Sequence, residues 1–254
     1  MGVEVTDTAA AIARARAWES ELPESERLFS DPYARLFAGG PAADEAVALF
    51  LTAPNFREQI RIRTRFIDDA VRAAFAAGTR QLIILGVGFD CRALRLREIA
   101  ARGVKVFEVD FAAQLERKAE VLAAAGTEVP PFVSMIPTDF TAPAYEQRLT
   151  TDLEAAGFEA AAPVVVVWEG VVSYLTEEAA NRGFRWIAGT GGAGSRLVFN
   201  YPISRFDPVD LLPRIRAHGF AWLDDCTLAD VYGRYLPGTP PPGCDLYHLA
   251  VAWR

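Results

Sequence analysis

Gly86 and Gly88 stand one residue apart at the end of an apolar run, within QLIILGVGFDCR at residues 81–92, and Asp110 closes the next such run, FEVD. Glycines at the end of a buried strand let a ligand lie against the backbone, since no side chain intervenes. The first N–H groups of the following helix have no intrahelical partners and can bind polar ligand atoms. An acid ending the next strand is placed to accept hydrogen bonds from ribose hydroxyls. Residues of these types at this spacing describe a nucleoside site at the carboxyl ends of two neighbouring strands.

Two nucleotide classes are disfavoured by the same stretch. The dinucleotide fingerprint asks for a third glycine where Cys91 stands, and Asp90 just before it would repel a pyrophosphate, which argues against a nicotinamide oxidoreductase. A phosphate loop needs a Lys-Ser/Thr pair that does not follow. A ligand with a ribose and no phosphate fits, and S-adenosyl-L-methionine has those features.

The elements that must position these residues are readable as alternating patterns. Continuous apolar runs at 81–86, 104–110, 132–136, 163–170 and 195–201 predict strands covered on both faces. Helical patterns at 91–101, 111–125, 143–157 and 176–188 lie between them, which predicts a parallel, right-handed, doubly wound sheet. Two later strands, 218–224 and 246–254, are expected to close it with an antiparallel edge. The first 80 residues contain no strand pattern. They predict a helix in TAAAIARARAWESEL, a short helix in DPYARLF capped by Asp31, and a longer one over 57–77 with Ile60, Thr64, Ile67, Val71 and Ala74 inward and Arg57, Arg61, Arg63, Arg65 and Arg72 on the other face. The expected organisation is an N-terminal helical cap and substrate cover over 1–78 and an α/β domain over 79–254.

Composition narrows the partners. The net charge is −7 over 254 residues, which does not favour nucleic acid or an anionic membrane. Three widely separated cysteines and two histidines offer neither a disulfide framework nor metal-ligand spacing, so no metal is expected. With no basic stretch leading into an apolar core at the start and no apolar run of membrane-spanning length, the expected location is the cytoplasm. The sequence does not set the oligomeric state.

The ordered series TAAAIARARAWES, DPYA, RTRFIDD, QLIILGVGFDCRALRL, FEVDF, PTDF and EGVVSYLTEE resembles the leucine carboxyl methyltransferase family, including its polyketide O-methyltransferase branch, over residues 5–200 or so. The resemblance implies a class I methyltransferase fold, Rossmann-like, that uses S-adenosyl-L-methionine. It also implies roles. Arg63 would hold the cofactor carboxylate, Gly86, which with Gly88 is read above as the floor of the site, would lie under the methionine moiety, and Asp110 would bind the ribose. Asp139 and Phe140 would flank the adenine, and Glu169 would face the amino acid end. The sequence departs from the family pattern at Cys91, where threonine is usual, and at Trp168, where a small residue is usual; Trp168 is expected to narrow the pocket or stack on an acceptor.

Methyl transfer from a sulfonium is an in-line displacement by an aligned nucleophile. A carboxylate needs no base at neutral pH, whereas an alcohol is helped by one. With only His218 and His248 available, both in the late strands, the expected acceptor is a carboxylate or acidic hydroxyl of a small molecule, in specialised metabolism. No catalytic group is identified; Arg16, Arg65 and Tyr174 are the candidates for positioning the acceptor. The rival expectation is a methyltransferase-like protein that binds the same cofactor and catalyses cyclisation, rearrangement or decarboxylation, or only binds ligand.

Overall fold

A computed structural model describes residues 5–39, 47–48 and 55–254. Seven strands form one sheet in the order β3-β2-β1-β4-β5-β7-β6. They are β1 (Gln81–Leu85), β2 (Lys105–Asp110), β3 (Val133–Pro137), β4 (Val165–Trp168), β5 (Arg196–Pro202), β6 (Trp222–Thr227) and β7 (Tyr247–Trp253). The first five run parallel, and β7 pairs antiparallel with both β5 and β6. Every residue of β1 and β4 is buried, which is why these strands read as unbroken apolar runs. The order reverses beside β1, and ligands of open α/β sheets bind outside the strand carboxyl ends at such a point.

The α-helices with described bounds are α1 (Val5–Glu21), α2 (Ala34–Phe37), α3 (Phe56–Ala76), α4 (Arg92–Arg95), α5 (Arg97–Ala101), α6 (Ala112–Ala124), α7 (Tyr145–Ala155), α8 (Glu177–Gly189), α9 (Pro208–Ala217) and α10 (Leu228–Tyr235). One core lies under α7, α8 and α9, centred on Phe184, Phe199 and Leu197. The other lies under α3 and α10, with Ile67, Val165 and Leu249. Thr176 caps α8 by accepting the Ala179 N–H at 3.2 Å, a contact worth about 1 kcal/mol. Among the described residues no helix is long and apolar enough to cross a membrane.

Four local expectations change. The helix expected over 91–101 divides in two, because Leu96 takes an extended ψ of 96° that helical hydrogen bonding does not allow. The penultimate strand begins at Trp222, not at 218, because the chain is still leaving α9: Gly219 sits at φ +111° just past the helix end. Arg63, expected on the polar face of α3, is only 5% exposed. Trp168 does not line an acceptor pocket. It is buried, packs edge to face on Phe184 at 5.3 Å and lies so close to α8 that a Cβ at Gly183 would meet its ring at 2.6 Å. Cys91 is likewise buried, and burial pushes its thiol up to about 12, so it packs as an inert side chain.

Beneath the β1–α4 turn lies an ion pair that the apolar pattern of β2 conceals. Glu108 and Lys118 are both buried and meet at 2.7 Å, and the ammonium also bonds the Asp90 carbonyl. Removing one member of a buried pair strands the other, at a cost of about 3–5 kcal/mol. Lys118→Met is therefore expected to lower the urea midpoint of unfolding strongly, and adding Glu108→Leu to recover most of the loss. Equal midpoints for wild type and Lys118→Met would refute the structural role of the pair.

Candidate functional site

The chain turns sharply after β1. Gly86 and Gly88 take φ +66° and +49°, the left-handed region that glycine enters at little cost. The Gly86 and Val87 N–H groups both bond the Val109 carbonyl, at 2.8 and 3.1 Å, which ties the turn to the end of β2. A Cβ at Gly86 would collide with Val171, and one at Gly88 would rest 3.5 Å from Ala9 of α1. The turn is thus enclosed by the loop after β4 and by the first helix.

Asp110 ends β2 and faces this turn. Its carboxylate accepts the Gly88 N–H at 2.7 Å and the Phe111 N–H at 2.8 Å. Burial raises its pKa, and the two N–H groups oppose that rise. The Asp110 carbonyl takes the Thr138 N–H at 2.8 Å, so the ends of β2 and β3 are joined. Two polar atoms at these strand-to-helix junctions are buried with no hydrogen-bond partner in the protein: the Thr138 hydroxyl and the side-chain nitrogen of Gln114, in the first turn of α6. Asp139 is exposed and caps its own turn through Thr141. Phe140 packs edge to face on Phe111 and Tyr145, at 6.5 and 5.5 Å.

Across the turn, Glu169 follows β4 and accepts from two guanidinium groups, Arg63 Nε at 2.8 Å and Arg92 Nη2 at 3.0 Å. Burial alone would raise its carboxyl pKa; Arg63 and Arg92 hold it down instead, to about 2. Arg92 is shared further, with Asp68 at 2.9 Å and with Asp90, and Asp68 also binds Arg95. Asp90 in addition accepts the Arg92 N–H at 2.6 Å and so caps the turn entering α4. Arg63 Nη1 donates to the Tyr247 hydroxyl at 3.3 Å, and that hydroxyl also contacts the Asn200 amide. Asn200 in turn accepts the Gly170 N–H at 2.9 Å.

The structure therefore brings Gly86, Gly88 and Asp110 together at one turn and Arg63 and Glu169 together beside it. Arg16, Arg65 and Tyr174 are not gathered in the same way. Arg16 is buried, bonded to Asp31 at 3.0 Å and to the Phe89 carbonyl at 2.6 Å, so it braces the glycine turn from behind. Arg65 bonds Asp69 and the Leu28 carbonyl. Tyr174 is 57% exposed in a 3₁₀ turn, residues 172–174. Sequence reasoning missed Asn200, Tyr247 and Asp68. Asn200 had a signal, an amide interrupting the apolar run of β5. Tyr247 and Asp68 had none, since each acts through a partner far away in the chain.

A model of the leucine carboxyl methyltransferase family matches residues 9–188. A candidate S-adenosyl-L-methionine-dependent methyltransferase of Streptomyces coelicolor is 37% identical over 199 residues, covering 75% of this chain and 66% of the relative. Another from Mycolicibacterium paratuberculosis is 34% identical over 230 residues, covering 84% and 70%. The matched part of this chain thus spans just under two thirds of the Streptomyces relative. Two solved structures share the fold. One is a candidate methyltransferase of Thermobifida fusca, with TM-score 0.67, 15% identity and coverage of 97% and 94%. The other is a DUF574 family protein of Streptomyces avermitilis, with TM-score 0.60, 20% identity and coverage of 93% and 99%.

The depressed Glu169 pKa makes a pH prediction. A carboxyl whose folded pKa lies below its unfolded value of 4.5 contributes stability that is complete above 4.5 and lost as pH falls toward about 2. Between those limits the stability of the wild type should fall more steeply than that of Glu169→Gln, as read by urea unfolding at several pH values. Parallel slopes would contradict the ion pairing.

Proposed function

Because the chain belongs to the leucine carboxyl methyltransferase family and has the class I methyltransferase fold, we propose that it transfers a methyl group from S-adenosyl-L-methionine to a carboxylate or acidic hydroxyl of a small molecule, in specialised metabolism. The observation that carries the donor assignment is the turn after β1. Two left-handed glycines face a strand-end carboxylate held by backbone N–H groups.

The residues present fit an adenosyl donor. Each oxygen of the Asp110 carboxylate keeps a lone pair beyond its N–H bond, which suits ribose hydroxyls. The unpartnered Thr138 hydroxyl and Gln114 amide are buried polar groups that a bound nucleoside would satisfy. Arg63 and Glu169 offer opposite charges 2.8 Å apart, the complement of an amino acid's carboxylate and ammonium. In this reading Asp110 holds the ribose, Asp139 and Phe140 flank the adenine, Gly86 and Gly88 floor the site, and Arg63 with Glu169 receives the amino acid end. When bound, the donor supplies an activated methyl on a sulfonium.

The protein's own task is then to hold and align. The Arg63–Glu169–Arg92 cluster gives an ordered electrostatic environment that needs little reorganisation during the reaction. The acceptor assignment rests on the histidines. His218 is engaged with Asn181 at 3.2 Å, and His248 with Asp225 at 3.1 Å. His248 also follows Tyr247 in β7, so the two side chains leave opposite faces of the sheet. Neither imidazole is bonded into the cluster around Glu169, and an acceptor already ionised at neutral pH needs none.

The test has two arms. Calorimetry with S-adenosylhomocysteine should give a saturable isotherm, and Asp110→Ala should weaken it about tenfold or more, the loss expected for hydrogen bonds to a charged group. Mass spectrometry of incubations with S-adenosyl-L-methionine and panels of small carboxylic acids and phenols should show products heavier by one CH₂. Binding with products lacking that increment would replace methyl transfer by non-methylating chemistry. Tight NADH binding without any response to S-adenosylhomocysteine would remove the donor.

A further inference from the structure

A cavity of about 430 Å³ opens between α3, the segment joining α1 to α2, and the short helices α4 and α5. It is separate from the glycine turn, since Gly86, Gly88, Asp110 and Glu169 are not among its walls. Leu28, Phe29 and Leu96 give it apolar surface, and Arg65, Arg72 and Arg95 give it positive charge. Its volume lies in the range of small-molecule sites.

Two carboxylates, Asp69 and Glu98, also line it, and both are already engaged. Asp69 accepts from Arg65 Nε at 2.9 Å and from the Tyr235 hydroxyl at 3.2 Å, and lies 3.6 Å from Arg72 and 3.7 Å from Arg234. Glu98 accepts from Arg72 Nε at 2.8 Å. Three arginines and two acids line the wall, and Asp68 behind it balances Arg95. A guanidinium carries five N–H donors, so these pairings leave donors over. Arg95 is the sharpest case. Its side chain is 3% exposed, its two terminal nitrogens both go to Asp68, and its Nε has no hydrogen-bond partner, the Asp31 carboxylate being 3.8 Å away. The Arg95 guanidinium lies 5.5 Å over the Phe29 ring, so charge and aromatic surface meet in one wall.

We propose that this cavity binds a small organic monocarboxylate, its carboxylate on the guanidinium groups of Arg65, Arg72 and Arg95 and its apolar body against Leu28, Phe29 and Leu96. A guanidinium fork matches a planar carboxylate. Asp69 and Glu98 on the same wall oppose the second charge of a phosphate, which favours a monoanion. The site also touches the candidate donor site through buried charge. Arg95 shares Asp68 with Arg92, and Arg92 binds Glu169. The proposal stands whether or not methyl transfer is the chemistry there.

The test uses the full chain and benzoate as probe, with benzamide and inorganic phosphate as comparators, by calorimetry and thermal unfolding at low salt. Benzoate should bind saturably and raise the melting temperature, benzamide should not, and phosphate should bind more weakly than benzoate. The double variant Arg65→Gln/Arg72→Gln should lose about tenfold or more in benzoate affinity. Leu28→Trp, which fills the apolar wall and leaves every charge in place, should also abolish binding and serves should the double variant not fold. Benzoate binding should persist with saturating S-adenosylhomocysteine present. The proposal is overturned by absence of saturable benzoate binding, by equal affinity for benzamide, by tighter binding of phosphate, by unchanged affinity in both variants, or by displacement with S-adenosylhomocysteine.

Discussion

Glu169 lies between two buried guanidinium groups, and the arrangement of the chain around it follows from that placement. A carboxylate removed from water is costly unless opposite charge and hydrogen bonds replace the solvent. Arg63 and Arg92 supply both, but each is itself buried and must be balanced. The balance spreads outward through Asp68 and Asp90 on Arg92, Arg95 on Asp68, and Arg16 on Asp31. Four arginines, at 16, 63, 92 and 95, stand against four acids, at 31, 68, 90 and 169. These ion pairs link α1, α3, α4 and the end of β4 to one another.

That network also shapes the glycine turn. Arg16 bonds the Phe89 carbonyl, Lys118 bonds the Asp90 carbonyl, and Asp110 accepts the Gly88 N–H. Three charged groups from three elements hold consecutive residues of one loop. A loop held so firmly loses little further entropy on meeting a ligand, which is the usual gain from preorganisation. The same grip explains why residues that read as ordinary core or surface, such as Lys118 in α6 and Arg16 in α1, bear on the candidate site without facing it. The cavity at Arg95 is the outer end of the same set of charges, where one guanidinium nitrogen is left without an acceptor.

Much of the fold was legible because its signals are local. Residues 81–86 and 163–170 are apolar without alternation since both faces of their strands are covered, and the left-handed glycines mark the turn wherever the sheet places it. The errors came where a local pattern met a distant partner. Arg63 belongs to the polar stripe of α3 by spacing, yet it is buried because Glu169 and Tyr247 reach it from β4 and β7. Trp168 read as a departure at the site, yet it turns into the core because α8 offers Gly183 where any larger residue would clash. The start of β6 was misplaced because Phe220 extends the apolar run upstream while Gly219 is still ending a helix.

The sequence by itself determined the order of the strands along the chain, the parallel sheet with its antiparallel close, the glycine turn and the acid that faces it. Each of these rests on interactions between residues close in the chain or on burial of whole segments. Only the tertiary structure decided which charges are buried together, that Asn200 and Tyr247 join Arg63, and that Arg65 and Arg16 serve different places. Those outcomes depend on pairs separated by tens to nearly two hundred residues, and the energy of a buried ion pair depends on what surrounds it, which no local pattern records.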